Sequence, residues 1–391
     1  MRLFLASASL FNLGLFVFFL LYNLYLLELG FDESFLGILT GAMTAGSVCG
    51  TLPAGWIVGR LGPGAGLRIT FAGAAAVCLL RASTADRAAL VALAFLGGAA
   101  TAFWAVTFAP AVAQLTSEAE RPRAFSLFFA LGVGMGILGG LAGGELPDWI
   151  GRIRGSTAAS SNKQAALWLS AGFSALALIP AWRLKLTPAE ASSGGRLAAA
   201  RIPFVRRYLV AAAAWNLFTG AFPPFLNTYL ARRFAATTGR IGRVFSGAQL
   251  AQAAAMLLAP RLFARVGLNA GIAGTELAAA ALLAALAGAS TLPAAAVGYA
   301  AYLALQWMSE PGWQSLLMNG VPPEQRSGAS ALNYLVVFSA QAVAAAAFGA
   351  AVPRHGYPAS LASTTAVGVL AAGLFWRLLG VDRTSWVGLG R

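Results

Sequence analysis

Glu310 stands in the stretch YLALQWMSEPGWQSLLMNG, and the residues around it define the chemistry open to it. Gln306, Trp307, Trp313 and Gln314 lie three or four positions away, offsets that gather side chains on one side of a helix. A carboxyl among so many apolar residues is costly, which marks it as a candidate for binding or proton chemistry. Gaining and losing a proton, it can couple proton flow to solute movement. It can equally bind a cationic substrate, or sit as a structural acid satisfied by an amide or hydroxyl. Pro311 follows at once, removes a backbone donor and predicts a kink. Asn12 and Asn23 are 11 positions apart, about three helical turns, and so share a face; Asn216 and Asn227 repeat that spacing. Such amides offer donors and acceptors to a bound solute, or else tie helices to neighbouring backbone. Glu276, the second embedded acid, reads as structural. Trp104 and Asn333 are further candidates for substrate contact, and Gln114, Gln249, Gln252 and Gln341 add polar ones.

Other chemistries are missing. No G-x-x-x-x-G-K-[ST] phosphate loop occurs, so a primary pump is not expected. The lone His355 leaves no histidine-based metal or catalytic cluster, and no nucleophile–base–acid set stands out. Cys49 and Cys78 fall inside apolar runs and read as small buried hydrophobes. No enzyme activity, cofactor or metal is expected.

The elements that carry these residues follow from composition. The chain has 391 residues, 59% hydrophobic and 10% charged. A soluble domain carries about 25% charged residues, so a soluble fold is excluded, and disorder with it. Runs long enough to cross a bilayer, about 20 apolar residues each, occur twelve times. In the first half they are 4–27, 34–58, 67–84, 88–114, 124–146 and 165–183; in the second, 205–231, 241–264, 268–289, 293–319, 328–352 and 358–379. The runs are continuous and not alternating, which argues against an outer-membrane barrel. The first run reads as a retained helix and not as a cleaved signal. Of the 27 basic residues, 17 fall on one set of run ends and 10 on the other. The positive-inside rule then puts both termini and the 184–204 linker in the cytoplasm. The net charge of +14 is accounted for by topology and lipid head groups, not nucleic acid.

The two halves repeat. A shift of 204 lays Asn12-Leu13 on Asn216-Leu217, Phe18 on Phe222, Asn23 on Asn227 and Tyr25 on Tyr229. A shift of 205 lays Arg60 on Arg265 and Gly62 on Gly267. Six runs per half give both halves the same membrane orientation, as in parallel repeats. The expected domains are a six-helix bundle over 1–183, a linker over 184–204 and a second bundle over 205–391.

This arrangement resembles the major facilitator superfamily of secondary transporters. The family loop between the second and third spans reads G-x-x-x-D-R-x-G-R-R; here Gly55, Arg60 and Gly62 match, Gly59 replaces the acid and the final basic pair is absent. The glycines of the fifth run, Gly132 to Gly144, resemble the antiporter motif, with Gly140 where its proline stands. The stretch Leu93–Gly98 lacks the arginine of proton-coupled drug exporters.

The resemblance implies an all-α membrane protein of twelve helices in two pseudo-symmetric bundles. Its first, fourth, seventh and tenth spans would line a central cavity. Asn12, Asn216, Gln306, Trp307, Glu310, Trp313, Gln314, Trp104 and Asn333 are then the expected substrate contacts, with Glu310 coupling protons. Gating falls to Arg60 and Arg265, to the helix-breaking Pro223-Pro224, and to outer ion pairs, expected from opposite loop charge, between Glu28, Asp32 and Glu33 on one loop and Arg232, Arg233, Arg240 and Arg243 on its repeat partner. The expected function is alternating-access transport of a small solute across a bacterial inner membrane by a monomer. Proton-coupled efflux of an amphipathic compound leads, because aromatics are abundant. Uptake of a polar nutrient such as a sugar, or lipid flipping, are the alternatives.

Overall fold

The computed structural model describes residues 1–116, 121–186, 198–322 and 326–380; most of the linker, 187–197, lies outside them. Among the described residues the regular structure is helical throughout. The first five runs are single helices: α1 (Arg2–Glu28), α2 (Glu33–Leu61), α3 (Pro63–Ser83), α4 (Arg87–Leu115) and α5 (Arg121–Arg154). The sixth is α6 (Ala159–Leu176) followed by the short α7 (Leu178–Trp182), and the seventh is α8 (Pro203–Thr219) and α9 (Leu226–Phe234). Next come α10 (Thr238–Val266), α11 (Leu268–Ala287) and α12 (Leu292–Asn319). Finally α13 (Arg326–Phe375) holds the last two runs on either side of Gly356, whose φ of 74° breaks the helix.

Nine helical stretches among the described residues are long and apolar enough to cross a membrane, one of them the 49-residue Leu332–Gly380. That stretch carries two of the expected spans. The two expected spans outside the nine are α10 and α12, which are 29 and 28 residues long but carry polar residues. Among these are Arg240, Arg243, Gln249, Gln252, Arg261 and Arg265 in α10, and Gln306, Glu310 and Gln314 in α12.

The repeat is written into the helix ends. Gly62 and Gly267 precede α3 and α11 with φ of 84° and 87°. Their N–H groups bond to Val58 O at 2.9 Å and Phe263 O at 3.0 Å. One turn on, Thr70 Oγ1 donates to Gly66 O and Thr275 Oγ1 to Gly271 O. Asp32 caps α2 by accepting from Phe35 N, and Thr237, 205 residues later, accepts from Arg240 N at the start of α10. Asp86 and Thr291 cap α4 and α12 at the same offset. Side-chain acceptors at these positions satisfy first-turn N–H groups that no helix partner reaches.

The chain forms two compact units. One comprises Met1–Ala191 with Phe225–Gly247; the other comprises Ser192–Pro224 with Ala248–Arg391. In the first, buried Phe4, Phe11, Phe71 and Phe128 form an aromatic core with Val112 and Leu184. There α2 and α4 approach so closely that a Cβ on Gly46 would strike Phe95 O, and one on Gly98 would strike Met43 O. Small residues permit such backbone approach where lipid gives no hydrophobic drive for association. Cys78 is buried in this unit as its apolar run predicts, whereas Cys49 is exposed on α2. In the second unit, Phe218, Phe222, Tyr299 and Tyr302 pack edge to face, with Phe218–Tyr302 centroids 5.8 Å apart and Phe222–Tyr299 5.9 Å.

Candidate functional site

In the second unit Glu310 lies mid-way along α12, partly buried, and its Oε1 accepts from Gln314 Nε2 at 2.9 Å. No cation pairs with it among the described residues. One turn before it, Gln306 has a buried Oε1 with no hydrogen-bond partner. Asn333 on α13 is 4% exposed, and its Oδ1 is likewise unpartnered. Asn216 on α8 is engaged: its Nδ2 donates to Ala212 O, and its Oδ1 accepts from Gln341 Nε2 at 2.9 Å. Trp307 is 37% exposed. Trp313 points elsewhere from the expected cluster. It is buried, donates its indole N–H to Glu276 Oε1 at 2.9 Å, and packs edge to face on Tyr208 and Phe375.

In the first unit, Trp104 sits among Phe4, Phe11, Phe71, Phe108 and Phe128 with centroids 5.2–6.3 Å away. Its ring is therefore part of the packed core. Asn12 on α1 is half-buried.

The acidic residues after the first run and the basic residues after the seventh make more contacts than spacing shows. Glu33, 5% exposed, accepts from Arg232 Nε at 2.7 Å. Asp32 is occupied as the α2 cap, and Glu28 pairs with Lys163 of α6. Arg233 lies over the Phe234 ring. Two further ties join α9 and the start of α10 to α1 and α5. Asn227 Nδ2 donates to Leu20 O at 2.9 Å, and Ser246 Oγ donates to Ile137 O at 2.8 Å. Beside the latter, Arg243 pairs with Glu145 at 2.9 Å. A Cβ on Gly140 of α5 would strike Ser246 Oγ, and one on Gly242 would strike Gly140 O, while Gly144 lies in tight contact with Gly239 and Gly242. The partners Lys163, Glu145 and Ser246 were not legible in advance, because each lies on a different helix at no regular offset.

At the other ends of the helices, Arg60 stacks on Trp56 at 4.2 Å in the last turn of α2, and Arg265 occupies the last turn of α10. Cations there complement the helix dipole. Pro223-Pro224 interrupt the seventh run with a 3₁₀ turn at Pro223–Phe225. Among the described residues no group of three or more His, Cys, Asp or Glu side chains could hold a metal ion.

No curated protein matches the sequence. Solved structures do match the fold. A point mutant of the nucleoside transporter NupG superposes with a TM-score of 0.80 at 13% identity, covering 97% of this chain and 99% of that one. A bacterial homologue of the human lysosomal transporter Spinster, inward-facing and unoccupied, gives 0.79 at 13% identity over 98% of both chains. A D-xylose–proton symporter gives 0.77 at 15% over 96% of both. The sequence pattern of the Major Facilitator Superfamily matches residues 3–345. On that match, with its all-helical fold, the chain belongs to the Major Facilitator Superfamily.

Proposed function

We propose that the chain is a secondary active transporter that moves a small polar solute across a bacterial inner membrane by alternating access. In this reading Glu310 couples the movement to protons. The carrying observation is Glu310 itself: a partly buried carboxyl bonded to one amide, with no cation beside it among the described residues. The buried oxygens of Gln306 and Asn333 lack donors, so a solute rich in hydroxyl or N–H groups would satisfy them. Aromatic rings favour an amphipathic solute less than composition implied, because Trp104, Trp215, Phe218 and Trp313 are spent on packing. Efflux of an amphipathic compound is the second reading, favoured by the exposed Trp307 ring three residues before Glu310. Two six-helix halves, 1–183 and 205–391, would rock about this site, with both termini and the 184–204 linker in the cytoplasm.

The ties Glu33–Arg232, Glu145–Arg243 and Asn227–Leu20 O fit an outer gate in its closed state, and the Pro223-Pro224 turn fits a hinge beside it.

The test is ligand-induced stabilisation of purified protein, wild type beside Glu310→Gln, at about pH 5.5 and about pH 8. Sugars and nucleosides form one panel, amphipathic cations the other. A polar hit whose shift depends on pH in the wild type, and loses that dependence in Glu310→Gln, is the expected result. An unchanged hit in the variant would reduce Glu310 to a structural acid. Hits only among amphipathic cations would overturn the polar solute.

A further inference from the structure

Glu276 is a carboxyl that the proposed transport cycle does not use, and it is 0% exposed. One oxygen accepts from the Trp313 indole at 2.9 Å; the other has no hydrogen-bond partner. An acid so placed in an apolar helix is costly. The second residue of the pair sits at a vulnerable point. Pro311 has no N–H, so α12 lacks one rung of its ladder at the residue after Glu310. Beyond that gap four contacts fix the helix again. Gly312 lies so near α11 and Phe263 that a Cβ there would come within 2.8 Å of Ile272 and 2.9 Å of Phe263. The Trp313 carbonyl accepts from Tyr208 Oη at 3.2 Å, and its ring stands edge-on to Tyr208 and Phe375 at 5.1 and 5.0 Å. The indole N–H completes the set on Glu276. Ring packing confines the indole, and the directed hydrogen bond selects one orientation within that slot.

We infer that Glu276 is a positioning residue: through Trp313 it pins the turn after Pro311 and so holds the Glu310 carboxyl in place. This rests on Glu310 being the working carboxyl, but its test needs no transported solute. The probe is a membrane-permeant carbodiimide, with modification of residue 310 followed by peptide mass in full-length protein. Trp313→Phe keeps a ring and loses the N–H. Glu276→Leu removes the acceptor. Glu276→Gln keeps a carbonyl oxygen to accept the same bond. The expected result is a change of about threefold or more in the rate of Glu310 modification for Trp313→Phe and Glu276→Leu, with Glu276→Gln at the wild-type rate. Wild-type rates in both Trp313→Phe and Glu276→Leu, even with lowered melting temperatures, would overturn the inference. So would Glu276→Gln behaving like Glu276→Leu. Should Glu276→Leu fail to fold, Trp313→Phe and Glu276→Gln carry the test by themselves. A Glu310→Gln protein that keeps its pH-dependent ligand response would end the transport role of Glu310 while leaving the modification rates to be judged separately.

Discussion

Ala235 adopts φ 47°, ψ 37°, a left-handed conformation, and is the one non-glycine residue with positive φ among those described. Its repeat partner 205 residues earlier is Gly30, φ 87°. The first half thus uses glycine where the second strains an alanine, at a cost of about 1 kcal/mol. Ala235→Gly is therefore expected to leave stability unchanged or raise it by up to about 1 kcal/mol, the gain offset in part by extra freedom in the unfolded chain. A denaturation midpoint compared with wild type checks it; a fall of more than that amount would mean the alanine methyl carries packing. Glu33 and Arg232 offer a second measurement. One partner is buried and the other half exposed, so a double-mutant cycle of Glu33→Gln and Arg232→Gln should give a coupling of about 1 kcal/mol, shrinking in high salt. A coupling indistinguishable from zero at low salt would remove the pair from any gate. At this scale the sequence was a partial guide. It marked Glu310 and Asn216 as polar groups within apolar runs, and the structure carries them on α12 and α8. It could not tell that Trp313 turns to Glu276, because a helical offset of three brings residues to one side without saying which neighbour captures a long side chain.

Helices α4 and α5 show what glycine does between elements. On α5, Gly139 and Gly143 lie against Phe16, Val17 and Leu20 of α1, while Gly140 and Gly144 lie against Gly239, Gly242 and Ser246. The helix is bare on two faces because it is approached from two sides. Gly140→Leu should force the start of α10 away from α5, breaking the Ser246–Ile137 O bond, with a loss of about 1–3 kcal/mol from overpacking. Gly134→Leu is the control, since nothing lies within reach of a Cβ there. Equal melting temperatures for the two variants would refute the packing role. The twelve runs, their order and most of their breaks were readable, since apolar length, proline and glycine act locally. The break in the seventh run falls at the Pro223-Pro224 pair that marks it, whereas the separation of the short α7 from α6 was less readable.

For the whole molecule, a shared pattern outweighs its 13–15% identity to solved structures, because hydrophobic length and repeat symmetry survive where individual residues do not. The compact units do not divide at the linker alone, since Phe225–Gly247 packs with Met1–Ala191. A chain cut between Gly194 and Gly195 should therefore remain associated in detergent, held by the Asn227, Arg232 and Ser246 contacts, and co-purify through a tag on either fragment. Separation of the fragments under mild conditions would refute that. The pairing of Lys163 with Glu28 has a practical side as well. The sequence holds two lysines, and Lys163 is 8% exposed with its ammonium engaged, while Lys185 is exposed. To an amine-reactive dye the folded protein offers a single accessible lysine, together with the amino terminus. Lys185 is thus a native attachment point for a fluorophore, with no residue engineered in, and dye found on Lys163 would report that the Glu28 end of α1 had come loose.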